Sequence, residues 1–364
     1  MSRKKLVVIG PLPPPVHGVA VSTSLVLANR LLREKFDIEH LDTTDRRSIS
    51  NLGKWDRTNV LLGLQNALDL ARQLRGRPGL VYLPLSESAG GFLRDSLFIQ
   101  LATIRGWKTA VHIRNSLFRH FYLSHGAVLR WWIRVTLQRI TGLAVLGDSL
   151  RQLFDGLVPA ERISVVPNGT PDFDPGPVEP DPHTVLYLSN LSRKKGADFA
   201  VRAAALAAER DPRSEFVFAG AWEGPEFEQE VRSLAKDMNG RITFLPAVTG
   251  KKKHDLMASA WILLFPVAWG EGHPRIVLEA LAAGVPVVTT DRATIAETVT
   301  DGEAGFVLDD PIPEQLAERL LLLLRDRELR SRMSAAARAR YLKHFTQEQA
   351  DRRLAEWLSD VANT

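Results

Sequence analysis

Short apolar runs, each followed by a longer segment of helical period, recur along the first half of the chain. They lie at Leu6 to Ile9, Leu80 to Leu83, Thr109 to Ile113, Leu143 to Leu146 and Ile163 to Val166. Runs that are apolar on both faces belong to buried parallel sheets, and their alternation with helices predicts right-handed β-α-β crossovers. From Pro167 to Pro182 the sequence PNGTPDFDPGPVEPDP, with six prolines, breaks the pattern and predicts a linker. The alternation resumes at Thr184 to Leu188 and continues through Phe216 to Ala219, Ile242 to Leu245, Ile262 to Phe265 and Val285 to Thr289. The tail from Pro313 reads as helical, with Leu320 to Leu324 buried. The predicted fold is therefore α/β, with two Rossmann-like domains facing each other across a cleft and C-terminal helices returning to the first. The expected boundaries are an acceptor domain over 1–170, a linker over 171–183, a donor domain over 184–345 and a returning helix over 346–364.

Composition narrows the chemistry. At 364 residues, 45% of them hydrophobic, the chain exceeds what one core usually sustains. It has no cysteine, which excludes disulfides, thiolate metal sites and cysteine nucleophiles and fits a reducing compartment, so a cytoplasmic location is expected. The apolar run after the basic start MSRKK stops at Gly10, too short for a signal-peptide core or a membrane span. The formal charge of +5 is uneven: residues 1–176 hold 23 Lys/Arg against 14 Asp/Glu, and the remainder is acidic. Such asymmetry fits either an anionic partner for the first domain or a solvated basic surface.

In open parallel sheets, ligands bind beyond the carboxyl ends of the strands, which directs attention to the loops after Ile9, Ile113, Leu188, Ala219, Leu245 and Phe265. The first loop, GPLPPPVHG, lacks the Gly-x-Gly-x-x-Gly fingerprint and the Walker ending, which disfavours a dehydrogenase or an NTPase. Gly18 at a helix start suits either a phosphate near free amides, with His17 at the mouth, or a rigid proline turn that Gly18 caps. The segment SNLSRKKG (Ser189 to Gly196) groups Arg193, Lys194 and Lys195 at a strand-to-helix junction; it reads as a diphosphate site or as a plain basic turn. The most informative segment is Trp269 to Val288, WGEGHPRIVLEALAAGVPVV. Glu271 falls in a Gly-rich loop before a helix that Pro274 starts, and Glu279 lies inside that helix among apolar residues. A carboxylate there needs a partner if buried, whereas an exposed one could bind a vicinal diol.

With Glu271, seven intervening residues, Glu279 and then LEALAAGVPVV, the chain resembles the family 4 retaining glycosyltransferases of GT-B architecture. The GPLPPPVHG loop, Val111-His112, the VVPNG segment and IAETVTDGEAGF (Ile295 to Phe306) support the resemblance, which spans nearly the whole chain. It implies transfer from a nucleotide-diphosphate sugar, without a cofactor or a required metal, in cell-surface polysaccharide or glycolipid synthesis. It implies catalytic roles for Glu271, His112 and Lys195: Glu271 on the transferred sugar, His112 facing that sugar across the cleft, Lys195 on the diphosphate. Glu279 would take the ribose and Gly18 would offer its backbone to the phosphate, with Asn190, Arg193, Lys194, Gly272, His273, Pro274 and Arg275 completing the donor site. Two positions depart from the family pattern: Asn190 stands where an arginine is usual, leaving Arg193 or Lys194 to replace it, and His273-Pro274 replaces an aromatic-glycine pair.

Competing readings are a sugar-nucleotide epimerase on the same architecture, a nucleic-acid-binding protein suggested by the sequence pI near 9.5, and an inactive binding module. No nucleic-acid motif supports the second, and a nucleic-acid partner is not expected. From Ser96 to Gly147 there is no Asp or Glu, yet the stretch holds Arg105, Lys108, Arg114, Arg119, Arg130, Arg134 and Arg139. Arg130 and Arg134 share one helical face, with Trp131, Val135 and Trp132 towards another. This fits a helix on an anionic membrane surface or an amphipathic helix packed on the sheet. The first reading makes the protein a peripheral enzyme at the inner membrane face, with His17, Arg114, Arg119, Arg130 and Arg134 near a lipid-linked or glycan acceptor.

Overall fold

The computed structural model describes residues 3–15, 17–45, 57–173, 178–238 and 240–364, with the backbone alone at 57–60. Val16 of the first loop and 174–177 of the proline-rich stretch lie outside the described residues. The chain divides into two compact units: Met1–Pro167 with Ala350–Thr364, and Asn168–Gln349.

Unit 1 runs β1 (Lys4–Gly10), α1 (Gly18–Ala28), α2 (Arg30–Lys35), β2 (Phe36–Asp42), α3 (Arg57–Gln73), β3 (Leu80–Pro84), α4 (Ala89–Ile104), β4 (Lys108–His112), α5 (Phe118–Leu123), α6 (Ala127–Arg139), β5 (Gly142–Val145) and β6 (Ile163–Val165). The strands form one sheet of order β2-β1-β3-β4-β5-β6, and every pairing is parallel. Right-handed crossovers put α1 and α2 on one face and α3, α4 and α6 on the other, because the strand order reverses after β2.

Unit 2 runs β7 (Thr184–Leu188), α7 (Ala197–Arg210), β8 (Glu215–Ala219), α8 (Pro225–Leu234), β9 (Ile242–Leu245), α9 (Gly250–Ser259), β10 (Ile262–Phe265), α10 (Arg275–Ala282), β11 (Val287–Thr290), α11 (Ile295–Thr298), β12 (Gly305–Leu308), α12 (Pro313–Arg325) and α13 (Arg327–His344). Its sheet, again parallel, has the order β12-β11-β10-β7-β8-β9. On one face the buried alanines of α7 let it approach α12, where Leu316, Leu320 and Leu323 close the core. Leu322 breaks the expected buried run: a helix turns successive residues to different sides, and this one is exposed.

The helix α14 (Gln347–Asn363) carries the chain's end into unit 1. Its Leu354, Leu358 and Val361 join Leu6, Val8, Val26 and Leu32 in one core, so it shares a face with α1 and α2. Lys4 donates to the Ala362 carbonyl (2.7 Å) and Asn29 to that of Asp351 (2.9 Å). Residues 168–173, which head the proline-rich stretch, are held by unit 2. Thr170 bonds the Phe345 carbonyl, Arg338 pairs with Asp172, and Phe173 stacks on His254 at 4.0 Å.

Candidate functional site

The carboxyl ends of β7 and β10 meet in unit 2. After β7 the chain turns back over Asn190 to Lys195, and the buried Tyr187 hydroxyl sits between the carbonyls of Asn190 (3.0 Å) and Lys195 (3.2 Å). Gly196 then opens α7 with φ of 70°, where a Cβ would collide with the Pro266 carbonyl oxygen, so only glycine lets the turn lie against the end of β10. The amides of Ala268 and Trp269 donate to the Lys194 carbonyl (3.2 and 3.1 Å), which locks the β10 loop to the β7 turn.

Three further bonds hold the Glu271 loop. Thr290 donates to the Val267 carbonyl (2.6 Å), Thr294 to that of Gly272 (2.8 Å) and Arg292 to that of Ala268 (3.2 Å). The outcome is a direct ion pair between Lys195 and Glu271, whose side chain is only 11% exposed. Burial presses the Lys195 ammonium down to about 8, and Lys194 beside it acts in the same direction.

Glu279, on α10, is paired by Lys253 of α9 at 2.6 Å. That answers the need for a partner which the apolar setting of Glu279 raised. The other donor-site residues divide. Lys194 and Asn190 are exposed on the same turn. Arg193 is committed elsewhere: its guanidinium pairs with Glu230, lies 4.9 Å from the Phe227 ring, and its amide donates to Glu223 (2.8 Å). Of the two residues expected to replace an arginine, Arg193 is the one held in an ion pair. The amide end of α7 is partly satisfied, since the Asp198 carboxyl faces its own N–H and that of Phe199. His273 is turned inward: its Nδ1 accepts the Asn168 amide (3.0 Å), Asn168 donates to its carbonyl (2.9 Å), and its ring meets Phe345 at 5.5 Å. Arg275 donates to the Gly169 carbonyl (2.9 Å) and Pro274 caps α10, so both help to anchor residues 168–170 and the helix start.

Unit 1 places His112 at the end of β4, 1% exposed. Its Nδ1 lies 3.1 Å from the Tyr82 hydroxyl, to which Arg114 donates (2.8 Å), and the Trp357 ring crosses it edge-on at 5.9 Å. Burial pushes the imidazole well below the usual histidine range; Arg114 adds to this, and the Val166 backbone opposes it. His112 is thus a neutral, enclosed group. Gly18 opens α1 in open space, while His17 is half-buried and its titration is lowered by that burial. Arg119 donates to the Asp155 carbonyl (3.0 Å). On α6, Trp131 is exposed, but Trp132 turns inward to donate to Ser96 of α4 (2.9 Å).

Sequence reasoning passed over Lys253, the threonines 290 and 294, Trp357 and Glu87. Glu87 follows β3, accepts the Leu117 amide (3.2 Å) and is pushed up to about 7 by burial. The strand-end rule would have found it had the loop after Leu83 been included. Among the described residues, no group of three or more His, Asp or Glu side chains is placed to hold a metal ion, and no helix is long and apolar enough to cross a membrane.

Residues 170–340 match the protein family described as glycosyl transferases group 1. The phosphatidyl-myo-inositol mannosyltransferase of Mycolicibacterium smegmatis is 30% identical over 43% of this chain and 40% of its own. The D-inositol 3-phosphate glycosyltransferase of Acidothermus cellulolyticus is 32% identical over 53% of this chain and 47% of its own. The match thus spans less than half the length of these relatives. HepE from Anabaena, crystallised with UDP, superposes with a TM-score of 0.74 over 98% of this chain and 100% of that one, at 17% identity. A glycosyltransferase from Rickettsia africae gives 0.75 over 98% of both chains, at 15% identity. These likenesses show the fold: two Rossmann-like α/β units, the make-up of the GT-B class.

Proposed function

We propose that the protein is a glycosyltransferase that moves a sugar from a nucleoside-diphosphate sugar to an acceptor hydroxyl, with retention of anomeric configuration and without a metal ion. The observation that carries this reading is the Lys195–Glu271 pair, held by bonded loops at the carboxyl ends of β7 and β10. A departing diphosphate gains negative charge as the bond from the anomeric carbon breaks, and fixed cations at that point lower the barrier. Lys195, with Lys194 beside it, supplies them. A bound diphosphate competes with Glu271 for Lys195 and releases the carboxylate for the hydroxyls of the transferred sugar. Glu279, oriented by Lys253, takes the ribose diol. As the acceptor oxygen forms the new bond, its proton leaves with the diphosphate.

The family match over 170–340 and the neighbours crystallised with UDP and with UDP-glucose support a nucleotide-sugar donor. The names of the two inositol-directed relatives support a polyol, glycan or lipid-linked acceptor. The lack of cysteine fits work in the cytoplasm.

A panel of nucleotide sugars tests the reading: one of them should raise the melting temperature by mass action. That donor, with acceptor extracts, should yield nucleoside diphosphate and a product of the same anomeric configuration, with EDTA harmless. Activity lost to chelation and restored by magnesium would refute the metal-free mechanism. Interconversion of the sugar nucleotide without diphosphate release would favour an epimerase.

A further inference from the structure

The face of unit 1 built by α3, α4 and α6 carries apolar side chains on its outer side. The three helices are neighbours: α3 contacts α4, and α4 contacts α6. Trp132 bonds Ser96, and Arg139 reaches Gln100, so α6 and α4 are fastened along their length. On α3, Leu61, Leu64 and Leu68 recur at helical spacing opposite the buried Ala67, Leu70 and Leu74. Leu93 and Leu97 repeat one turn apart on α4, and Trp131 projects from α6. These six side chains are 37% to 61% exposed. Scattered exposed leucines are ordinary, but stripes on adjacent helices of one layer form a patch that calls for a partner.

Charge identifies the partner. Helix α6 carries Arg130, Arg134 and Arg139 and no Asp or Glu, and the single acid of α3, Asp69, is paired by Arg72. Arg134 is exposed and its guanidinium lies against the Tyr122 hydroxyl (3.2 Å); Arg130 lies one turn before it on the same side of α6. A second copy of the chain would bring the same basic surface against itself, and like charges repel. We propose that this face docks on an anionic lipid bilayer, with the leucines and Trp131 entering the headgroup boundary and the α6 arginines meeting lipid phosphates. The inference uses unit 1 alone and is independent of the donor chemistry.

Co-sedimentation of the full chain with vesicles tests it. Vesicles of phosphatidylcholine with phosphatidylglycerol should retain about tenfold more protein than vesicles of phosphatidylcholine alone, and high salt should reduce that excess. The double variant Arg130→Ser with Arg134→Ser should lose the preference for anionic lipid. The triple variant Leu64→Ser, Leu68→Ser and Trp131→Ser should lose the binding that survives salt. Arg130 is half-buried and the other substituted side chains are exposed, so melting temperatures should change little. Independently of sedimentation, brominated lipid should quench wild-type tryptophan emission and quench it less in Trp131→Phe. Equal recovery in the supernatant with both vesicle types would overturn the proposal. So would variants that bind like wild type, or a concentration-dependent dimer that the triple variant abolishes, which would make a second copy the occupant.

Discussion

The strand ends of the two units solve different problems. In unit 2 they bring Lys195 against Glu271 on loops fastened by backbone and threonine hydrogen bonds, and the helices that follow pair Lys253 with Glu279. In unit 1 the corresponding ground at β4 encloses a neutral His112 between Tyr82 and Trp357, with the Arg114 guanidinium on the Tyr82 hydroxyl. Charged groups kept half-buried and rigid are costly for stability and useful only where a charged ligand arrives. Aromatic enclosure contributes stability and shape. The contrast fits diphosphate recognition in unit 2, with the α6 arginines of unit 1 left to a different anionic partner.

The sharpest way to break this contrast is to remove the carboxylate from unit 2. Glu271→Ala should lower turnover by ~100-fold or more with the melting temperature little changed, because the lost contact acts on the transferred sugar. Initial rates beside a thermal melt check this; near-normal turnover would remove the site from unit 2.

The complementary substitution, Trp357→Ala, should destabilise unit 1 by about 3 kcal/mol, the usual cost of a buried tryptophan cavity. Denaturant unfolding reads it. Nucleoside diphosphate affinity of the fraction still folded should stay within about twofold of wild type if diphosphate recognition belongs to unit 2. A large loss of nucleotide affinity in folded protein would blur the division proposed here.

The smallest expected effect concerns pH. Lys195 titrates near 8 in the folded protein, below its ordinary 10.5, so the unfolded chain holds more protons between those values and this group's contribution to stability rises with pH across the window. Nucleoside diphosphate binding needs the ammonium, so affinity should fall in the same window, by up to about tenfold per pH unit above the pKa. Calorimetric titration with UDP, or with whichever nucleotide binds, should show this slope in wild type and lose it in Lys195→Arg. A slope unchanged in the arginine variant would mean that Lys195 is not the group that titrates.

Ten of the twelve strands among the described residues coincide with apolar runs that the sequence displays, because parallel strands covered by helices on both faces keep few polar positions. The two that were missed, β2 and β12, each form one edge of a sheet, although the opposite edges, β6 and β9, were read from their apolar runs. In β2, FDIEHLD mixes acids with apolar residues, since an edge needs burial on fewer sides, and its pattern does not announce a strand. The positions of Glu271 and Lys195 at strand-to-helix junctions were legible for a related reason: glycine, proline and β-strand punctuation mark those junctions locally. Their partners were not legible. Lys253 reaches Glu279 across 26 residues, Trp357 reaches His112 across more than 200, and Arg193 turns to Glu230 rather than towards Glu271. Each pairing depends on which helices the sheet order brings side by side. The sequence by itself determined the periodic elements and the chemistry at their ends, because those follow from local pattern. Only the tertiary structure decided which charges meet, whether His112 is enclosed, and that leucines of α3 and α4 share an outer layer with Trp131 of α6, because these depend on contacts between segments far apart in the chain.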